Sequence, residues 1–168
     1  MSKVMEDLAE AFAGESQANR KYLAFAEQAD KEGFPGVAKM FRAIASAETL
    51  HAHSHFKTMG GVATTADNLK SALEGETHEF TVMYPEFLKD AEAEGNAKAK
   101  MSFRHANEAE KVHGALYKKT LEELESLKGK DTDWYVCPVC GYIHEGSAPE
   151  ACPICKVKGE KFIKNPAF

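Results

Sequence analysis

The sequence predicts an all-α four-helix bundle followed by a small C-terminal domain held together by metal, and three observations carry that reading. Apolar residues recur at helical spacing through four long stretches, a Glu-x-x-His pair occurs twice, and all four cysteines of the 168-residue chain fall between Cys137 and Cys155. Residues three apart on a helix are neighbours, so Glu48 with His51, and Glu110 with His113, can each offer a carboxylate and an imidazole to one metal ion.

The first helix is expected from Lys3 to about Lys31, with Val4, Leu8, Phe12, Tyr22, Phe25 and Ala29 in helical register and Gly33-Phe34-Pro35 ending it. The second runs from about Pro35, a proline suited to the first turn, to about Met59, where Gly60-Gly61 stops it. The third opens among the N-cap candidates of Ala63–Asp67 and continues to about Glu94 on Leu69, Leu73, Phe80, Met83, Phe87 and Leu88, with Pro85 expected to kink it. After the break at Gly95-Asn96 the fourth extends from about Ala97 to Lys128, with Met101, Phe103, Leu116, Leu121 and Leu124 on its buried side. These four helices make a domain of residues 1–128, and 129–133 read as a polar linker. The remaining domain, 134–168, consists of short aromatic pieces such as Trp134-Tyr135-Val136 and Gly141-Tyr142-Ile143. Some 35 residues cannot stabilise themselves by burial alone, so a four-cysteine metal site must hold this part together.

Composition narrows the class. A net charge of −5 and a pI near 5.8 argue against nucleic acid or an anionic membrane as partner. No run of about 18 apolar residues occurs, and Met1–Asp7 lacks the apolar region of a signal peptide, which points to a soluble cytoplasmic protein. Paired CxxC motifs in such a chain read as thiolate ligands rather than disulfides.

The chemistry follows from residue types. One Glu from each of two helices, with a Glu-x-x-His from each of the other two, is the ligand pattern of carboxylate-bridged di-iron bundles, and Glu15 and Glu76 stand where the two lone glutamates are needed. Phe41, Ile44 and Leu50 flank the first pair, Phe103, Val112 and Tyr117 the second, and Phe12, Tyr22 and Phe25 accompany Glu15. Glutamates on apolar faces are costly to bury without a partner, so these surroundings favour ligands over a wet helix face. Glu79, three residues after Glu76, would be a fifth carboxylate; such an anion-rich site favours the oxidised metal pair and allows Glu79 to exchange with a histidine as the charge changes. His53 lies about 140° around the helix from Glu48 and reads as surface, whereas His55 reads as a neighbour of the ligands rather than one of them. Cys137, Cys140, Cys152 and Cys155 could hold structural zinc or a single redox iron.

The order Trp134-Tyr135-x-Cys137-Pro138-Val139-Cys140-Gly141-Tyr142, then Pro149-Glu150-x-Cys152-Pro153-Ile154-Cys155, resembles rubredoxin, which favours iron over zinc. Ala13-Gly14-Glu15-Ser16, Glu48-x-x-His51, Gly75-Glu76-x-x-Glu79 followed by Met83-Tyr84-Pro85-Glu86, Glu110-x-x-His113 and the terminal CPxC pair together resemble the rubrerythrin family over the whole chain. That resemblance implies a ferritin-like di-iron domain joined to a rubredoxin-like domain. It implies a peroxidase that reduces hydrogen peroxide to water, with electrons passing through the tetrathiolate iron from an NAD(P)H-dependent reductase or a rubredoxin donor. It further implies that His51 ligates reduced iron, that Glu79 replaces it on oxidation, and that Tyr22 and Tyr84 stand near the di-iron site. Lys156 departs from the rubredoxin pattern, which usually has Gly there. A ferritin-like iron store, a ferroxidase and a zinc-stapled interaction protein are the rival readings; a one-electron relay counts against storage.

Two expectations concern assembly. Parallel second and third helices in such a bundle need a connection spanning roughly 37 Å, whereas Gly60 to Ala66 reaches at most about 25 Å, so a homodimer exchanging helix pairs is expected. The linker starts roughly 20 Å along the axis from Glu110 and His113, which predicts that a head-to-tail partner, not the chain itself, brings a cysteine-bound iron to the di-iron centre.

Overall fold

The computed structural model describes residues 2–166, so Met1, Ala167 and Phe168, parts of the outer domain bounds and of the N-terminal reading, lie outside it. Helix α1 spans Lys3–Lys31 and α2 Pro35–Thr58; α3 is Thr65–His78, α4 Tyr84–Ala93 and α5 Ala97–Leu127. Strands β1 (Trp134–Val136), β2 (Ile143–Glu145) and β3 (Ile163–Lys164) follow. The caps are those that the local chemistry requires: Ser2 accepts from the Met5 N–H, Thr64 from the Asp67 N–H and Asn96 from the Ala99 N–H. No described helix is long and apolar enough to cross a membrane.

The chain divides into two compact units, Met1–Ala63 and Thr64–Phe168. In the first, α1 and α2 form a hairpin whose buried residues are small: Ala26 and Ala29 on α1 meet Ala38 on α2 with Phe41 over them, and Ala45 and Ala52 continue the seam. Alanine brings two helices close, and the one buried polar group, Asn19, uses that closeness by donating to the Ala45 carbonyl at 2.7 Å and to Thr49 Oγ1 at 2.9 Å. Phe12 stacks on Phe56 at 4.9 Å near the open end.

In the second unit α3 and α4 pack on α5. Buried Gly114 sits where an added Cβ would meet Phe80 at 3.2 Å and the Glu76 Cβ at 3.7 Å, which is how α5 approaches α3. Tyr84, Phe87 and Phe103 form an aromatic cluster between α4 and α5. The expected kink at Pro85 is instead a π-helical turn, Glu79–Met83, in which the Tyr84 N–H reaches back five residues to the Glu79 carbonyl. Proline has no N–H to complete an α-turn here, and the wider turn lets α4 restart with Pro85 in its first turn.

Several residues expected on buried faces are exposed, Phe25 and Ile44 among them. Leu50 is 70% exposed and Met101 62%, because each stands two residues, about 200° of helix, from the residue it was grouped with, Glu48 and Phe103 respectively.

The C-terminal sheet is antiparallel in the order β2-β1-β3, with Val136 facing Ile143 on one side and Ile163 on the other. Its core is Cys137, Cys140 and Cys152, covered by Tyr142, Ile154, Val157 and Phe162. The module lies on its own chain's α5: Lys119 pairs with Glu145 at 3.0 Å, and Gly141 packs against Ala109. The expectation that only a head-to-tail partner could place this module beside Glu110 and His113 is therefore overturned. The chain turns back directly after α5, where Lys130 N–H donates to the Leu127 carbonyl and Gly129 takes a φ of 77°.

Candidate metal centres

Each unit gathers two carboxylates and one imidazole. Glu15, Glu48 and His51 in the first, and Glu76, Glu110 and His113 in the second, each bring three ligand atoms within 4.8 Å of one another. On α2 the i,i+3 spacing places His51 Nδ1 3.1 Å from Glu48 Oε2, and Asn19, by tying α1 to Ala45 and Thr49, sets the register that carries Glu15 to Glu48. A hydrogen bond donated to Glu48 raises the pKa of Glu15, and the same bond, with His51, lowers that of Glu48. Two carboxyls sharing a proton are what a cation would otherwise separate. His55 lies near enough to oppose the rise in the pKa of Glu15, while His53 is exposed.

On α5 His113 Nδ1 lies 2.6 Å from Glu110 Oε2 and 3.5 Å from Glu76 Oε2. Glu76 Oε2 is buried and makes no hydrogen bond; burial, then the adjacent Glu110, raises its pKa from 4.5 to about 7. An orphaned buried carboxylate oxygen facing a second carboxylate and an imidazole fits a cation, and the mixed O/N donors suit iron. Glu79 lies outside the three-atom cluster but faces it, since burial and then Glu110 raise its pKa while His113 opposes the shift. Burial, then the charges of Glu110, Glu79 and Glu76, raises the pKa of Tyr84, so its hydroxyl is held among three carboxylates.

Tyr22 packs between Phe25 and Phe41 at 6.3 and 6.2 Å. Tyr117 has the same character as Tyr84: burial, then Glu76 and Glu110, raises its pKa. Tyr117, an apolar flank of the second pair by sequence, stands one turn after His113 on the face of Glu110, and that spacing is the signal for it.

The four cysteine sulfurs form a third constellation, with Cys137 Sγ 3.5 Å from Cys155 Sγ and Cys140 Sγ 3.5 Å from Cys152 Sγ. Metal–sulfur bonds of about 2.3 Å in a tetrahedron put sulfurs about 3.8 Å apart, so the cage fits one ion. Two matching turns build it. Gly141 N–H donates to the Cys137 carbonyl and Cys137 N–H to that of Tyr142; Lys156 N–H donates to the Cys152 carbonyl and Cys152 N–H to that of Val157. Gly141 and Lys156 occupy the same left-handed conformation, with φ of 79° and 64°. Burial drives the Cys140 thiol pKa far up against the Tyr142 N–H aimed at it. Burial also pushes Cys152 up, but there the N–H groups of Cys155 and Ile154 outweigh it and the net shift is downward.

One contact joins the two metal centres within the second unit. His113 Nε2 lies 2.9 Å from the Gly141 carbonyl, which can only accept, so Nε2 carries the hydrogen and Nδ1 is the nitrogen left available to a metal ion. Gly141 follows Cys140 directly, and nothing in the linear sequence announces this link across 28 residues.

Comparison with known proteins agrees with this geometry. The chain is 35% identical to Rubrerythrin-2 of Clostridium acetobutylicum over 170 residues, covering 92% of each chain. It is 36% identical to nigerythrin of Nitratidesulfovibrio vulgaris over 169 residues, 92% of this chain and 83% of that one. The solved partially reduced state of nigerythrin superposes with a TM-score of 0.59 at 34% identity, over 98% of this chain and 87% of that one. The fold is thus ferritin-like with an attached rubredoxin-like module, and the donor sets are those of a di-iron site and a tetrathiolate iron. The rubrerythrin family model matches residues 6–121 and the rubrerythrin rubredoxin-like domain model residues 135–163, and the chain belongs to the rubrerythrin family.

Proposed function

We propose that this chain is the terminal component of a peroxide-reducing system, an oxidative-stress peroxidase. Hydrogen peroxide accepts two electrons and two protons, its O–O bond breaks and two waters leave. Cys137, Cys140, Cys152 and Cys155 would hold the iron that supplies one-electron transfer from an NAD(P)H-dependent reductase or a rubredoxin donor. The observation that carries this reading is the His113–Gly141 hydrogen bond, which gives a short covalent and hydrogen-bonded path from Cys140 to a ligand of the di-iron site. Iron storage and simple ferroxidation gain nothing from such a relay.

The ligands would be Glu15, Glu48, His51, Glu76, Glu79, Glu110 and His113, with Glu79 replacing His51 as the iron is oxidised. When bound, the iron pair supplies the redox chemistry and polarises peroxide. The chain's own groups hold ligands and protons. Tyr84 keeps its hydroxyl proton because burial and three carboxylates oppose ionisation, so it can donate to an oxygen at the site; Tyr117 is held in the same state, and Tyr22 lines the α1 side. Residues 1–128 thus serve as the catalytic domain, 129–133 as linker and 134–168 as relay. Four free cysteines suit the reducing cytoplasm.

The homodimer belongs to the same proposal. The connection Met59–Thr64 has six residues and spans about 20 Å at most, against about 36 Å for the 24 residues of α2. Large apolar residues on the first unit also remain exposed, Phe25, Val37, Met40 and Ile44 among them. The α1–α2 hairpin of one chain therefore completes the site begun by Glu76, Glu110 and His113 of another.

The test is anaerobic reduction of the iron-loaded protein followed by separate additions of peroxide and oxygen, watched through the visible bands of the tetrathiolate iron. Rapid reoxidation of both centres by peroxide is the expected result. Reoxidation by oxygen with none by peroxide would replace the peroxidase with a ferroxidase.

A further inference from the structure

The two cysteine turns of the C-terminal module have the same backbone and different outer residues. In the first, Gly141 takes the left-handed conformation and packs against α5, where its carbonyl meets His113. In the second the same conformation is held by Lys156, an exposed residue with a Cβ that disfavours it. Glycine would be the less strained choice there, and a strained non-glycine residue against a metal site calls for a reason in the site's chemistry.

The lysine side chain folds back over its own turn, and Nζ donates to the Pro153 carbonyl at 2.8 Å. That carbonyl and the Ile154 N–H belong to one peptide group, and the Ile154 N–H is aimed at the sulfur of Cys152. A cation on the oxygen end of a peptide polarises it and strengthens what its N–H offers to an acceptor. The first turn has no counterpart, because Gly141 has no side chain.

One ferric ion with four thiolates carries a net charge of −1 and the ferrous form −2, so reduction adds negative charge to the cluster. A fixed positive charge nearby stabilises the reduced form more than the oxidised form. We propose that Lys156 raises the reduction potential of the tetrathiolate iron, acting through the Pro153–Ile154 peptide on Cys152. The outer turn then favours electron arrival from a donor, while the inner turn at Gly141 faces the di-iron ligands. The lysine is a tuning residue and touches neither peroxide nor iron.

The experiment is a redox titration of the visible charge-transfer bands of the full-length iron-loaded protein and of Lys156→Met, Lys156→Gly and Lys156→Arg. Met keeps the stem and the backbone strain but removes the charge; Gly removes both; Arg keeps the charge. The expected result is a downward shift of the midpoint potential, equal in Met and Gly, absent in Arg, and shrinking as ionic strength rises because the group is exposed. A Met variant with the parent's potential would overturn the proposal, as would an Arg variant shifted as far as Met. A shift in Gly alone would assign the effect to backbone strain and overturn it equally.

Discussion

At the scale of single residues, Glu76 sets how the metal-free protein responds to pH. Its carboxyl holds a proton up to about pH 7 in the folded chain, against an ordinary value of 4.5, because burial and Glu110 oppose its charge. Between these values the folded state binds more protons than the unfolded state, so the stability of the metal-free protein falls as pH rises through that window and levels off above it. A metal ion must displace that proton, so iron affinity rises with pH over the same range. Thermal denaturation of metal-free protein across the window should show the decline, and Glu76→Gln should flatten it; a stability that climbs from about pH 5 to 7 would contradict the assignment. The pairing of Glu48 with His51 and of Glu110 with His113 was legible in the sequence, because an i,i+3 pair is a local fact that survives any tertiary arrangement. The burial of Glu76 Oε2 without a partner and the link from His113 to Gly141 were not, since both depend on what other elements bring to the site.

At the scale of elements, the π turn Glu79–Met83 fixes the angular relation between Glu76 before it, Glu79 at its start and Tyr84 after it. Such a turn absorbs one residue more than the α-helix it interrupts, so removing one residue closes it to α geometry and re-aims Glu79 and its neighbours within the turn, while the helix beyond keeps its face. Val82 is 43% exposed and can be deleted without opening the core. The deletion variant is expected to keep its far-ultraviolet helicity and red tetrathiolate centre while losing di-iron content by metal analysis. Undiminished di-iron content would show that the turn does not set the ligand geometry. Sequence periodicity predicted helix on both sides of this turn and attributed the break to Pro85, because one extra residue barely disturbs a 3.6-residue pattern. The outer helix limits were legible to about a residue from Pro35, the N-cap candidates of Ala63–Asp67 and the stops at Gly33, Gly60-Gly61 and Gly95-Asn96. The assignment of Leu50 and Met101 to buried faces failed because a helix with apolar residues on two sides does not announce which side a neighbour covers.

At the scale of the whole molecule, the shared-site dimer makes a prediction of complementation. Glu48→Ala damages the first unit and Glu110→Ala the second. In a mixed dimer one site carries both changes and the other carries neither, so co-refolding two inactive variants should restore roughly half of the parental di-iron content and peroxide turnover per mixed dimer. Sites built within single chains would give no recovery, and that result would end the proposal. Cys137→Ser mixed with Glu110→Ala should recover nothing even in proven mixed dimers, because the relay and the Glu110 half-site sit on one chain. The short connection was readable by counting residues, whereas the return of the C-terminal module onto α5 was not, because a polar linker around Gly129 fixes no direction on its own. The seam of alanines between α1 and α2 has one more consequence. In the proposed dimer a hairpin so sparsely cored would cover its exposed apolar residues only on meeting a second chain, so catalytic capacity would grow as the square of chain concentration at low abundance. Gene dosage would then act as a threshold: scarce chains would already be red, yet unable to clear peroxide until enough of them had met.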